Sequence, residues 1–555
     1  MFRNWQGFFK IPLSSNDFRE AVVKEYIVEM EKFNDKNKNM VFKAGKKQIL
    51  LIGVNDRIFA LDNRCPHEGY PLSEGGVNES CVLTCNWHNW KFDLETGECT
   101  LGGDNVVTYP VQVVKDKIHV DISGPSKDNV RDSILKGFQV AFEKRQYGRL
   151  AREITRLDFN EIDPICALKK AIFWSYDKFE YGMTHAYAAC ADWVSLYMEV
   201  DPSEAKEREK RIVYLTETID HIAYDALRHK EYPFHDEEIT FNEGQFINAI
   251  EKEDEKTAIS LINGAIKKGL TFKDLEKTFT EAALAHYNDF GHSLIYVYKA
   301  STLSSSLKDP EVDACLFKAL TRSLINTTRE DLIPEFNDYQ PALLELNKHS
   351  FGKKEEEVSF TSLKGQRVKG ALNWVLENSK VYSEEKLYRC LLLAQAHNMM
   401  TYDLKFQDAT NNPVTQNVGW LDFTHALTFS NAVRALCSKY PEFWGRGLLQ
   451  MACFYGRNTF FTDSSTDQLS FQVKDPQTFE GEVLNKIIDH GMALPIYSAH
   501  LLKTSKAIFE EGRFLSEKNK CELYSSLNRF LSSPLKAKHV RRLAKQAINL
   551  VSKDF

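Results

Sequence analysis

Two rhythms of apolar and polar positions divide the chain. Between about residues 40 and 122 the apolar runs are short and end at turn residues. Gln48 to Val54 stops at Asn55-Asp56, and Arg57 to Leu61 follows, which predicts two strands joined by a tight turn. Lys91-Phe92-Asp93-Leu94 runs into Glu95-Thr96-Gly97-Glu98. Val111 to Val114 and Ile118 to Ile122 flank Lys115-Asp116-Lys117, a predicted hairpin. Short strands at this spacing predict a small all-β sandwich or barrel.

The polar stretch Ser123 to Asn129 holds Gly and Pro and reads as a linker. Beyond it the period changes to three and four residues. The segments Phe246 to Lys268, Leu275 to Lys299 and Glu385 to Met400 each read as an amphipathic helix. Polar breaks near Gly352 to Glu357, Asp408 to Gln416 and Thr462 to Phe479 predict loops. The expected fold is a small β domain followed by a large all-α domain. The boundaries are 1–122 with an N-terminal extension, a linker at 123–132, and helical halves at 133–350 and 351–555.

A chain of 555 residues is too long for one core. Its net charge of −6 does not favour nucleic acid or an anionic membrane as partner. No run reaches the roughly 18–20 apolar residues of a membrane span, and Met1 to Phe18 lacks the apolar run and cleavage site of a signal peptide. A cytoplasmic protein is expected, with most of its 11 Cys as packed thiols.

One Cys group demands more. Cys65-Pro66-His67 is followed, after seventeen residues, by Cys85-Asn86-Trp87-His88. Two thiolates and two imidazoles on two loops match the ligand set of a [2Fe–2S] centre in which two His replace two Cys on one iron. A closed tetrahedral zinc site could draw on the same four residues, although nothing in zinc chemistry calls for the flanking Trp90-Lys91-Phe92-Asp93. With Gly69, Gly75-Gly76, Asp93 and Gly97, the stretch resembles Rieske ferredoxins and the N-terminal domains of ring-hydroxylating oxygenases over roughly residues 45 to 122. The resemblance implies a [2Fe–2S] cluster on Cys65, His67, Cys85 and His88, with an external reductase or ferredoxin as electron donor. The chain departs from the pattern at Asn86, where Pro is usual, and at Asn89, where Gly is usual. Trp90 and Phe92 stand where respiratory Rieske proteins carry hydroxyls, which predicts a low potential.

A one-electron centre needs an acceptor. The Asp-x-x-His-x-x-x-x-His helix of the oxygenases is missing from this sequence. Instead Asp289-Phe290-Gly291-His292-Ser293-Leu294 and Asp422-Phe423-Thr424-His425-Ala426-Leu427 are near-copies, Thr184-His185-Ala186 echoes the second, and Ile219-Asp220-His221 echoes Ile488-Asp489-His490. The echoes suggest a duplicated helical unit. His286, Asp289 and His292 fall on one helical face, as do Glu217, His221, Asp225 and His229. Helical bundles build iron and manganese sites from such residues. The candidates for a second metal site are therefore His185, His292, His425 and His490, with Asp289 and Asp422 as ligands or partners of ligands. The His-plus-small-residue helices resemble those of questin-oxidase-like oxygenases, from which no residue is carried over. The expected function is a Rieske oxidoreductase that feeds single electrons to a helical-domain site where dioxygen or a small organic substrate reacts. The alternative is an electron-transfer or redox-sensing protein whose helical part only binds a partner.

Overall fold

The computed structural model describes residues 25–33, 39–124, 126–201, 203–226, 230–354 and 356–553. The expected N-terminal extension and His229 lie outside these residues. Residues up to Gly137 and residues from Phe138 onward form two compact units.

The first unit is β up to Asp121 apart from short 3₁₀ turns, and it ends in the first turns of the helix Lys127–Glu143. Its strands are β1 (Glu25–Glu29), β2 (Asn39–Ala44), β3 (Lys47–Val54), β4 (Arg57–Asp62), β5 (Gly76–Val77), β6 (Val82–Thr84), β7 (Lys91–Asp93), β8 (Cys99–Leu101), β9 (Thr108–Tyr109), β10 (Val111–Val114) and β11 (Lys117–Asp121). They form antiparallel sheets in the orders β1-β11-β10, β2-β3-β4-β9 and β5-β6-β7-β8. The β3–β4 turn is the one the sequence announces. Asn55 and Asp56 take φ of 49° and 62°, the doubly left-handed geometry of a hairpin turn that matches strand twist. β3 and β4 send alternate side chains into two cores. Leu50, Ile52 and Leu61 pack with Leu72, Leu83 and Phe92, and Ile49, Leu51 and Ala60 pack with Ile118 and Val120. The first of these cores also buries Cys65 and Cys85.

The second unit is helical. Its centre is a closed ring of four helices, His185–Glu199, His292–Leu307, Trp420–Cys437 and Pro495–Gly512, each packed against the next. These helices are buried on nearly every side, as expected of apolar helices surrounded by others. The ring draws two helices from each expected half, so residues 350 and 351 do not divide two bodies.

The helical periods are right but their limits shift. The expected linker at 123–132 is cut short, because a helix starts at Lys127. Phe246 to Lys268 is two helices, Glu243–Glu251 and Glu255–Lys267, broken where Glu253 takes a φ of 55°. Leu275 to Lys299 is also broken. One helix stops at Ala285, a 3₁₀ turn covers Asn288–Gly291, and a new helix starts at His292. Gly291 makes the break, with φ +84° and the Phe429 ring 2.6 Å from where a Cβ would sit, so it turns the chain where a side chain would clash. Consequently His286 and His292 do not share a helix face, as their spacing had suggested.

Candidate metal centres

The first site is built from two loops of one design. After β4, the Cys65 amide donates to Tyr70 O and the Gly69 amide returns to Cys65 O. After β6, the Cys85 amide donates to Trp90 O and the Asn89 amide returns to Cys85 O. The fourth residue after each Cys is left-handed, Gly69 at φ 78° and Asn89 at φ 60°. Asn is among the few side chains that enter this region readily, which explains why Asn can stand where Gly is usual.

The loops bring sulfur and nitrogen to opposite sides. Cys65 and Cys85 are buried in the core, while His67 and His88 reach outward with Nδ1 atoms 3.1 Å apart. Trp90 stacks on His67 with ring centroids at 4.5 Å. Trp87 stacks on Tyr70 but is 60% exposed, so it covers only one side of the loop. Burial, with Cys85 alongside, pushes the Cys65 thiol up to about 11, so a metal must displace its proton to bind. Two adjacent thiols on one side and two converging imidazoles on the other fit a [2Fe–2S] cluster.

The second site lies inside the helical ring. Nε2 of His185 is 3.2 Å from Nε2 of His292 and 3.3 Å from Nε2 of His425, which is 2.9 Å from Nε2 of His500. Ligand atoms of His185, His425 and His500 all lie within 4.8 Å of one another. Each ring helix contributes one imidazole, two from first positions (His185 after Thr184, His292 after Gly291) and two from the sixth (His425, His500). His500 Nδ1 donates to Ile496 O at 2.6 Å, which leaves its Nε2 lone pair facing the centre. Burial, then nearby Lys503 and the other rings, holds His185 and His500 well below the usual range; burial and the neighbouring rings do the same for His425. Neutral imidazoles are the metal-binding form. The geometry suits one cation among the imidazoles of His185, His425 and His500, with His292 beside His185.

Two residues of this centre escape sequence reasoning, His500 and Lys503. The Lys503 Nζ is fully buried with no hydrogen-bond partner. Burial and Lys299 push its ammonium down to about 7. Only the motif-poor run Ser498-Ala499-His500-Leu501-Leu502 marks the position in sequence.

Three candidates are corrected or recast. His490 does not join the ring, because the Met492 amide donates to its Nδ1 at 2.8 Å and its Nε2 meets Glu217 at 2.9 Å. His500 takes its place. Asp422 caps its own helix by accepting from the Gly419 amide at 2.9 Å, and burial raises its pKa. The Asp289 side chain lies outside the described residues. The repeated Asp-Phe-x-His stretches also differ in structure: Asp422 is in a helix, whereas Asp289 is in the 3₁₀ turn before one.

A cavity of about 230 Å³ opens against His292 and His425. Phe290, Leu421 and Phe454 give it apolar walls, and Asp422, Arg457 and Asn458 a polar edge. Arg457 lies over the Phe290 ring and pairs with Glu335 at 2.8 Å through one nitrogen.

Comparisons with known proteins address the first site. Residues 24–110 match the family described as the Rieske [2Fe-2S] domain. The anthranilate 1,2-dioxygenase ferredoxin subunit of Burkholderia cepacia is 33% identical over 81 residues, 14% of this chain and 74% of that protein. The ferredoxin component of the alkene monooxygenase system of Xanthobacter autotrophicus is 40% identical over 58 residues, 10% of this chain and 48% of that protein, so this chain spans about half its length. Among solved structures, the ferredoxin of carbazole 1,9a-dioxygenase from Nocardioides aromaticivorans is 22% identical, with 17% of this chain and 93% of that one covered at a TM-score of 0.16.

Proposed function

Because this chain belongs to the Rieske [2Fe–2S] family through residues 24–110, we propose that it is an oxidoreductase in which single electrons from an external reductase or ferredoxin serve a metal ion held by His185, His292, His425 and His500. When bound by Cys65, Cys85, His67 and His88, the [2Fe–2S] cluster supplies one-electron chemistry at moderate potential. The ion proposed for the helical ring is iron, which imidazoles ligate well, or manganese, which helical bundles also hold.

The observation that carries this reading is the meeting of imidazoles from all four ring helices in one place. Packing alone has no use for four Nε2 atoms directed at each other. The chain's own groups equip the adjoining cavity for a small organic substrate. Phe290 and Phe454 exclude water and favour a flat apolar body, and the free edge of the Arg457 guanidinium favours an anionic or strongly accepting group on it. Asp422 presents its carboxyl at the same wall.

The test is the content of iron, manganese and acid-labile sulfide per chain after anaerobic purification. The expected result is two irons and two sulfides for the cluster plus about one further metal ion, the latter lost in the His292→Ala/His425→Ala double variant while the sulfide stays. Two irons and two sulfides alone would leave the alternative, an electron-transfer or redox-sensing protein whose helical unit binds a partner.

A further inference from the structure

The last described helix, Val540–Val551, is built inside out. Its aliphatic residues Val540, Leu543, Leu550 and Val551 fall at steps of three, seven and one along one face, with Ile548 at the edge. All five are at least half exposed, from 50% to 68%. Its polar face is the one packed on the protein. Arg542 is buried and donates to Phe406 O at 2.7 Å. Gln546 is buried and donates to Asn412 O and to Asn417 Oδ1. Lys545 reaches Thr410 at 3.1 Å and Asn411 at 2.9 Å. These bonds fix the helix's rotation, so the protein itself holds the apolar stripe outward.

Charge identifies what covers it. Residues 523–553 contain no Asp or Glu; Arg529 and Arg542 are buried, Lys536 pairs with Asp408 and Lys545 bonds to the protein, which leaves Lys538, Arg541 and Lys553 as its exposed cations. Arg541 adjoins Ile548 on one side of the stripe and Lys553 follows its end, so the aliphatic face has a cationic rim. Two copies of this helix packed face to face would bring the exposed Arg541 of each to one seam. The exposed face is a convex ridge of branched aliphatics and offers none of the aromatic anchors that dominate protein–protein hot spots. An aliphatic face rimmed by Lys and Arg is the pattern of helices that lie in a lipid interface.

We propose that the Val540–Val551 helix seats its aliphatic face in an anionic phospholipid surface and holds this chain on a bilayer without crossing it. None of the described helices is long and apolar enough to cross a membrane. The chain-wide charge of −6 does not oppose such contact, because it averages out a segment that is wholly cationic. The proposal is independent of any reading of the metal centres.

Sedimentation of the purified full chain with vesicles tests it, using phosphatidylcholine alone or with about one-third phosphatidylglycerol. The expected result is binding to the anionic vesicles, weaker binding to neutral ones, and weakening in high salt. The Leu543→Glu/Leu550→Glu variant should lose roughly tenfold or more in partitioning, with iron and sulfide content unchanged. Arg541→Glu should lose affinity for anionic vesicles selectively. Failure of the wild type to bind anionic vesicles overturns the proposal, as does equal binding by the double variant. A wild-type dimer that the double variant dissolves into monomers, without vesicle binding, would show that a second copy covers the face.

Discussion

Asn89 carries the most local consequence. Its φ of 60° lets the second ligand loop repeat the shape of the first. Asn89→Gly should leave the thermal midpoint nearly unchanged. Asn89→Val should cost at least about 1–2 kcal/mol, the left-handed penalty for a side chain with a branched Cβ, and should lower cluster retention when iron and sulfide are assayed after heating. Neighbouring side chains bear on the redox potential. Trp90 stacks on His67, and the Phe92 side chain is fully buried without a polar atom. With no hydroxyl from either residue, the potential should fall in the lower part of the range of roughly −150 to +300 mV seen for Rieske centres. Voltammetry giving a value near the upper end would refute this. These features were legible in the sequence because each loop keeps its two ligands within four residues. His500 was not legible: it comes from a separate helix, and its Nε2 is aimed by a bond to the carbonyl of Ile496, which no side-chain pattern records.

Between elements, buried carboxylates tie helices together. Glu276, on the Phe272–Ala285 helix, accepts from Ser301 and Tyr440 and pairs with Lys439 at 2.9 Å. Burial alone would raise its pKa, but these partners outweigh burial and hold it below the usual range. A carboxylate with a lowered folded-state pKa stabilises above its unfolded value, and the contribution is lost as pH falls through the folded value. Glu276→Gln should therefore cost roughly 1–3 kcal/mol near neutrality. The gap from wild type should close as the pH drops below the ordinary Glu range, read from urea unfolding at a series of pH values. The same scale shows why the helical unit was less legible than the β unit. Periodicity found the apolar faces, but an unbroken pattern from Leu275 to Lys299 hid the turn at Gly291, whose necessity comes from Phe429, far along the chain. The β unit's turns carry their cause within themselves, as Asn55-Asp56 does.

At the scale of the whole chain, the second redox centre proposed above implies a count of electrons. Reductive titration of the fully loaded protein under anaerobic conditions should consume one electron for the cluster and a further one for a redox-active ion in the helical ring. The His292→Ala/His425→Ala variant should consume only the first. Uptake of a single electron by the loaded wild type would remove the helical unit from the redox chemistry.

The ring has another effect that involves no electrons. His185 and His425 are 240 residues apart in sequence, and His185 and His292 are separated by 107. An ion gripping all four imidazoles would act as a rivet across remote stretches of polypeptide, closing loops that the unfolded chain leaves open and favouring the folded form by mass action. Cells starved of that metal would then hold less of this protein as well as a less active one, because the unriveted form would open more often to proteases.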